Sequence, residues 1–301
     1  MKSDLRIVVI SRAHGISGGP EALHQLVDMA NEISPGIAAI CYSPFELQYK
    51  VPEQYRIYNV PMVLEKDIPL NALIILPEIF SELVNQFKQK CAFWWLSVDN
   101  FFIITSKENR KEHIDKMYCH LSQSCYSSDY IKSLGKHPIL LQDYINDVYF
   151  TDEKIEKKKI VATNPAKGKY LIDEFTKLNP DIKTIELSGM SKEQIKDTLC
   201  QCMIYVDFGH HPGKDRLPRE SRILKAIVLT IKNGSAKNDI DIPIDDWYKF
   251  NDVRELSEKI NDIFINYEKH DVNQSGYLNK IKNEKEDFRS QVKNLIQLLE
   301  K

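Results

Sequence analysis

The run Asp207-Phe208-Gly209-His210-His211-Pro212-Gly213-Lys214-Asp215-Arg216-Leu217-Pro218-Arg219-Glu220 holds the densest set of chemically useful side chains in the chain. It follows an apolar segment, 203–206, that reads as a buried strand. It precedes a short helical pattern in which Pro218 takes a first-turn position. From Lys214 to Arg222 four basic side chains (Lys214, Arg216, Arg219, Arg222) stand against two acids (Asp215, Glu220). A strand end, a glycine turn, cations and a helix N-terminus together suit a phosphate or diphosphate. Arginine adds a fork that can hold phosphate oxygens in pairs. His210 and His211 lie in the same turn. Glu220 is open to two readings. It is either a dipole partner for the helix start or an acceptor for ribose or sugar hydroxyls while Lys214 and Arg219 face the phosphates.

Three further segments carry candidate chemistry. His14-Gly15-Ile16-Ser17-Gly18-Gly19-Pro20-Glu21 follows the first apolar run, but it is neither a dinucleotide fingerprint nor a P-loop. It is either a tight connection with Gly19 as N-cap or, through Gly18 and Gly19, a ligand floor in a cleft between domains. His14 is the candidate catalytic base by residue type, with Glu21 beside it. Thr163-Asn164-Pro165-Ala166-Lys167-Gly168 is made of ordinary turn residues. Its place at a strand's carboxyl end, two strands before 207–220, makes Asn164, Lys167 and Gly168 candidate phosphate contacts. Glu78, after Leu76-Pro77, and Asp99, after Trp94-Trp95-Leu96-Ser97-Val98, either line the acceptor side of a cleft or belong to ordinary turns.

Positioning these loops requires alternating strands and helices. Apolar runs at 5–10, 36–42, 72–76, 90–96 and 138–141 read as strands. Between the first two, Leu23, Leu26, Val27 and Ala30 recur at helical spacing over 20–33. A second helical pattern near Ile79 carries Phe80, Leu83, Val84 and Phe87. A charged stretch at 152–159 reads as a linker or domain edge. The alternation then restarts with strands at 160–163, 182–187, 203–208 and 226–231. A helix is expected near 169–178, and Ser191-Lys192-Glu193-Gln194 is a capping box opening another, to about 201. Helices over 252–267 and 276–300 close the chain. The pattern predicts an α/β fold of two domains in tandem, 1–150 and 151–301, with ligands outside the carboxyl ends of the strands.

Composition narrows the function. With 41 Lys and Arg against 43 Asp and Glu, the chain lacks the broad positive field of a nucleic-acid binder. No apolar run approaches the roughly 20 residues that span a bilayer. The first apolar run is too short for a signal peptide, and six scattered cysteines resemble reduced, buried thiols. A cytoplasmic protein is expected. His113, Cys119, His120 and Cys125, and the pair Cys200 and Cys202, lack the spacing of a structural zinc site. Lys280, Lys282 and Lys285 in the closing helices alternate with glutamates, an ordinary solvated face. A peripheral contact with the inner face of a membrane stays compatible with it.

Gly18-Gly19-Pro20-Glu21, Leu76-Pro77-Glu78, Trp94-Trp95-Leu96-Ser97-Val98-Asp99, Asn164-Pro165-Ala166-Lys167-Gly168 and Asp207 to Glu220 occur in that order within about the first 250 residues. In this the chain resembles bacterial glycosyltransferases of the GT-B architecture, including a group associated with surface-polysaccharide synthesis. The resemblance implies two Rossmann-like domains facing across a cleft, the last helix packing back on the first, with an acceptor site mainly in the first domain and a nucleotide-sugar site mainly in the second. It implies a glycan or lipid-linked acceptor, no cofactor and no metal. Lys167 and the group Lys214, Arg216 and Arg219 would hold the leaving diphosphate, and Glu220 would contact donor hydroxyls. The chain departs from the pattern at Pro212, which stands where many retaining members carry the first Glu of an E-x₇-E pair. It departs again at Ser221 to Ala226, in place of a small-residue helix. A noncatalytic nucleotide- or glycan-binding subunit and a sugar-nucleotide epimerase are the alternatives.

Overall fold

The computed structural model describes residues 5–14, 18–45, 49–151 and 155–299. The Gly15-Ile16-Ser17 part of the glycine turn and residues 152–154 of the charged stretch lie outside the described residues. The chain divides into two units, one of residues 1–144 and 285–301, the other of residues 145–284.

In the first unit the elements are β1 (Ile7–Arg12), α1 (Gly18–Ile33), β2 (Ala38–Ser43), β3 (Leu73–Pro77), β4 (Lys90–Trp95), α2 (Val98–Ile104), α3 (Lys107–Lys116), β5 (Cys119–Ser122), α4 (Cys125–Ser133) and β6 (Pro138–Leu140). The strands form one sheet in the order β2-β1-β3-β4-β5-β6, every pair parallel. Such a sheet is covered on both faces, so its strands run apolar without a break. Side-chain alternation sends Ile7, Val9 and Trp94 into one core and Val8, Ile10, Phe93 and Trp95 into another.

The second unit contains β7 (Lys158–Thr163), α5 (Lys169–Leu178), β8 (Thr184–Glu186), α6 (Lys192–Gln201), β9 (Cys202–Asp207), α7 (Arg216–Ile223), β10 (Ile227–Ile231), β11 (Lys249–Phe250), α8 (Leu256–Ile265), α9 (Tyr267–Asn273) and the start of α10 (Ser275–Leu299). Its parallel sheet has the order β11-β10-β9-β7-β8. The Ser191–Gln194 capping box forms, with Ser191 accepting from Gln194 N–H and Gln194 accepting from Ser191 N–H. α10 continues into the first unit, where Phe288, Val292, Leu295 and Ile296 join the core that holds Trp94.

Three local expectations are corrected. The helical pattern near Ile79 is a 3₁₀ segment, Glu78–Asn85, broken at Phe80 (φ −108°, ψ 26°). The break at Phe80 divides the run into short turns, the length at which 3₁₀ geometry is common. β5 was not expected, because Cys-His-Leu-Ser contains no β-branched residue. The closing 252–267 segment splits into a 3₁₀ turn and α8, with α9 beginning at Tyr267.

Candidate functional site

Each sheet reverses its strand order once, and such a reversal opens a crevice at the strands' carboxyl ends. In the second unit the reversal lies between β7, with β8 on one side, and β9 on the other. The two loops leaving these strands are 164–168 and 208–215, both of which carry candidate phosphate contacts.

The loops interlock through glycine. Gly168 has φ +73°, and a Cβ there would lie 2.4 Å from the Phe208 carbonyl oxygen. A Cβ on Gly209 would lie 2.4 Å from Lys167 Cβ. Asn164 folds the first loop by accepting from Ala166 N–H at 3.1 Å. Lys167, its side chain about one-third exposed, reaches Asp215 Oδ1 at 2.8 Å. The other Asp215 oxygen stands 2.9 Å from His211 Nδ1, while His211 Nε2 lies 3.8 Å from Asp207 Oδ1. Asp207 is held in turn by Tyr205 Oη–H at 2.9 Å and Gly209 N–H at 2.9 Å. Burial alone would lower the His211 pKa, but Asp207 and Asp215 outweigh it and raise it, with Lys167 opposing. Burial would raise the Asp215 carboxyl, yet His211 and Lys167 bring it below its ordinary value.

The remaining cations of the motif turn inward. Lys214 Nζ lies 2.9 Å from Glu284 Oε1, and Arg219 Nη1 lies 2.8 Å from Glu284 Oε2. Lys214 is 5% exposed and Arg219 1%. Arg219 also donates to the carbonyls of Lys214 and Asp215, so it clamps the loop backbone. Arg222 is wholly buried against Asp271 and the Gln274 carbonyl. Arg216 Nε donates to Glu220 Oε1 at 3.3 Å across one turn of α7. His210 is exposed and pairs with Asn233 Oδ1 at 2.6 Å. A third loop closes the set, since Ser235 donates its N–H to His211 O and its hydroxyl to Gly213 O.

In the first unit the order reverses between β1 and β3. His14 follows β1, is exposed, and meets Tyr49 edge-on at 5.6 Å. Gly18 and Gly19 both lie inside the first turn of α1, so the N-cap expected at Gly19 is not formed there. Glu21 is 6% exposed and accepts from Tyr58 Oη–H at 3.0 Å. Behind it His24, wholly buried, stacks on Tyr55 at 4.2 Å and places Nδ1 2.6 Å from the Pro20 carbonyl. That carbonyl can only accept, so Nδ1 carries the proton and Nε2 accepts from Tyr42 Oη–H at 2.7 Å. Burial pushes the His24 pKa down to about 4. Glu78, after β3, is 2% exposed and accepts from Leu96 N–H at 2.9 Å. Burial pushes its carboxyl up to about 7, opposed by backbone donors. Asp99 accepts from Tyr126 Oη–H at 3.3 Å. Among the described residues no group of three or more His, Cys, Asp or Glu side chains is placed to hold a metal ion.

Solved structures match the chain over almost its whole length. HepE from Anabaena, solved in complex with UDP-glucose, superposes with a TM-score of 0.69 at 11% identity, covering 97% of this chain and 99% of that one. Sucrose-phosphate synthase from Thermosynechococcus elongatus gives 0.69 at 10% identity, covering 98% and 99%. The trehalose-6-phosphate synthase OtsA gives 0.66 at 9% identity, with the same coverage. The chain has the GT-B fold. No family model matches it, and no curated protein matches it in sequence.

On the GT-B frame, the contributions that sequence reasoning missed are Asp207, Asp215, Asn233, Ser235 and Glu284. Asp207 and Asp215 stand in the motif itself, where counting charges would have paired them with the cations. Asn233 and Ser235 lie one strand further on, in a turn that carries no special spacing. Glu284 sits 65 residues beyond Arg219 in an ordinary polar helix, and no local signal marks it.

Proposed function

We propose that the chain is a metal-independent, hexosyl-type glycosyltransferase whose second unit binds a nucleotide-sugar donor. The acceptor in this reading is a glycan or lipid-linked saccharide of bacterial surface-polysaccharide synthesis, met in the cytoplasm. The observation that carries it is the pair of interlocked loops at the reversal between β7 and β9, with the partly exposed Lys167 between them. The relatives in fold support the donor class, one of them having been solved with UDP-glucose.

Lys167 and Arg216 are the side chains we assign to the diphosphate, with Asn164, Gly168 and the N-terminal turn of α7 supplying backbone donors. Each charge-assisted bond contributes roughly 1.5–3 kcal/mol. Two or three account for the roughly 4–8 kcal/mol of a millimolar to micromolar ligand. Glu220 is assigned to donor hydroxyls and His210 to the rim of the site. Lys214 and Arg219 act at one remove, by holding the loop on Glu284. Catalysis is then positioning and charge stabilisation of the departing diphosphate. In the first unit His14 is the candidate base. Gly18, Gly19 and Glu21 flank its loop, and Glu78 and Asp99 stand on the acceptor side.

A second reading, a noncatalytic nucleotide- or glycan-binding subunit, is favoured by Pro212 at the place of the first carboxylate and by the inward turn of two cations. A panel of nucleotide sugars separates the two. Transfer or slow donor hydrolysis with release of nucleoside diphosphate supports the enzyme. Binding without turnover supports the subunit, and no binding of any donor contradicts both.

A further inference from the structure

His211 is the most enclosed side chain of the 207–220 motif. It is wholly buried, so it cannot touch a ligand itself. Its backbone is pinned from the β10 side: its carbonyl accepts from Ser235 N–H, and Gly234 packs so closely that a Cβ there would lie 2.0 Å from that oxygen. The charged groups brought to the ring are Asp207 and Asp215 of its own loop, with Lys167 of the β7–α5 loop beyond Asp215. Nδ1 stands 2.9 Å from Asp215 and Nε2 3.8 Å from Asp207, so a protonated ring is drawn by charge to both carboxylates. Asp215 is therefore shared between two bases, one sealed in the interior and one about one-third exposed.

We propose that His211 is a positioning residue which, acting through Asp215, sets how readily Lys167 leaves its ion pair to meet an anion. When the imidazole is protonated, it satisfies Asp215 after Lys167 departs. When it is neutral, departure of Lys167 strands a largely enclosed carboxylate, which is strongly unfavourable. Anion capture by Lys167 and proton retention by His211 are thus linked, and linkage is reciprocal. The inference rests on the donor reading only for the identity of the anion, a nucleoside diphosphate.

The test is an NMR titration of the His211 ring, assigned by its loss in His211→Gln, in wild type and in Lys167→Met, each with and without UDP. Among the described residues, removing Lys167 leaves His211 as the sole base on Asp215, so its midpoint is expected to rise by about half a unit or more. UDP is expected to raise the midpoint in wild type and to leave it unmoved in Lys167→Met. A midpoint indifferent to Lys167→Met overturns the relay. In parallel, UDP affinity is expected to fall about tenfold more between about pH 6 and about pH 9 in wild type than in His211→Gln. The ligand's own ionisation is common to both proteins and cancels. Equal slopes overturn the proposal. Should His211→Gln fail to fold, the ring is assigned by elimination, through single substitutions of the other seven histidines, and Lys167→Met, altered at a partly exposed side chain, still decides it by the ring midpoint. UDP binding absent at every pH, with the midpoint still shifted, removes the donor reading and leaves the relay standing for another anion.

Discussion

At the scale of single residues, the motif that draws the eye in sequence divides by burial into two jobs. Lys214 and Arg219 share one enclosed carboxylate, Glu284. Removing one partner of such a group costs about 3–5 kcal/mol. Arg219→Leu should therefore lower the urea midpoint markedly, whereas Lys167→Met should leave it nearly unchanged at about pH 6, where a protonated His211 still satisfies Asp215. Equal midpoints for wild type and Arg219→Leu would contradict the assignment of Arg219 to the scaffold. His24 supplies a pH test in the first unit. Its folded pKa lies near 4, against 6.5 for the free side chain. The native state thus favours the neutral ring, and the unfolded chain takes up the proton first. The stability linked to this group is complete above pH 6.5 and falls as pH drops toward 4, by up to about 3 kcal/mol. His24→Gln should remove that part of the acid loss, measured as a flatter slope of unfolding free energy between those limits. What the sequence conveyed at this scale was residue type. It could not convey that an arginine beside a glycine turn points inward, because its partner stands 65 residues away on another helix.

Elements were more legible than side chains. α1, α5 and α6 carry apolar residues at helical spacing, and Ser191 announces α6 through its capping box. α3 has a polar sequence in which only His113 and Ile114 are buried, so periodicity had nothing to report. β11 has two residues, too few to alternate. The glycines at the loops were legible as turns, but not as the closest contacts between two loops. That close approach gives an element-scale test. Gly135 and Gly168 share a left-handed backbone, φ +72° and +73°, yet a Cβ on Gly135 meets nothing within 4 Å. Gly135→Ala should cost about 1–2 kcal/mol of backbone strain. Gly168→Ala adds the collision with the Phe208 carbonyl, and is expected to cost at least about 1 kcal/mol more. Equal losses in chemical denaturation would show that the loops do not need that contact.

At the scale of the whole molecule, the alternating pattern predicted two parallel α/β sheets, and the structure has them, one of six strands and one of five. Parallel sheets buried on both faces leave long apolar runs, and these survive in sequence however much the loops diverge. That is why the fold persists at about a tenth identity to HepE. α10 is harder to read, since one helix serves two cores: Tyr277 and Ile281 pack in the second unit, Phe288 and Val292 in the first. Phe288 is wholly buried with its ring near Trp94 and Tyr144. Phe288→Ala is expected to destabilise the first unit by about 3–5 kcal/mol, read as a lowered midpoint of unfolding. Among the described residues no helix is long and apolar enough to cross a membrane. The central claim is that the loops after β7 and β9 hold a nucleoside diphosphate, and calorimetric titration of UDP into wild type and Lys167→Met tests it most directly. Millimolar to micromolar binding is expected, weakened at least about tenfold in the variant, at a melting temperature unchanged at about pH 6, where a protonated His211 still satisfies Asp215. Binding of equal strength in both proteins, or none in either, would contradict it.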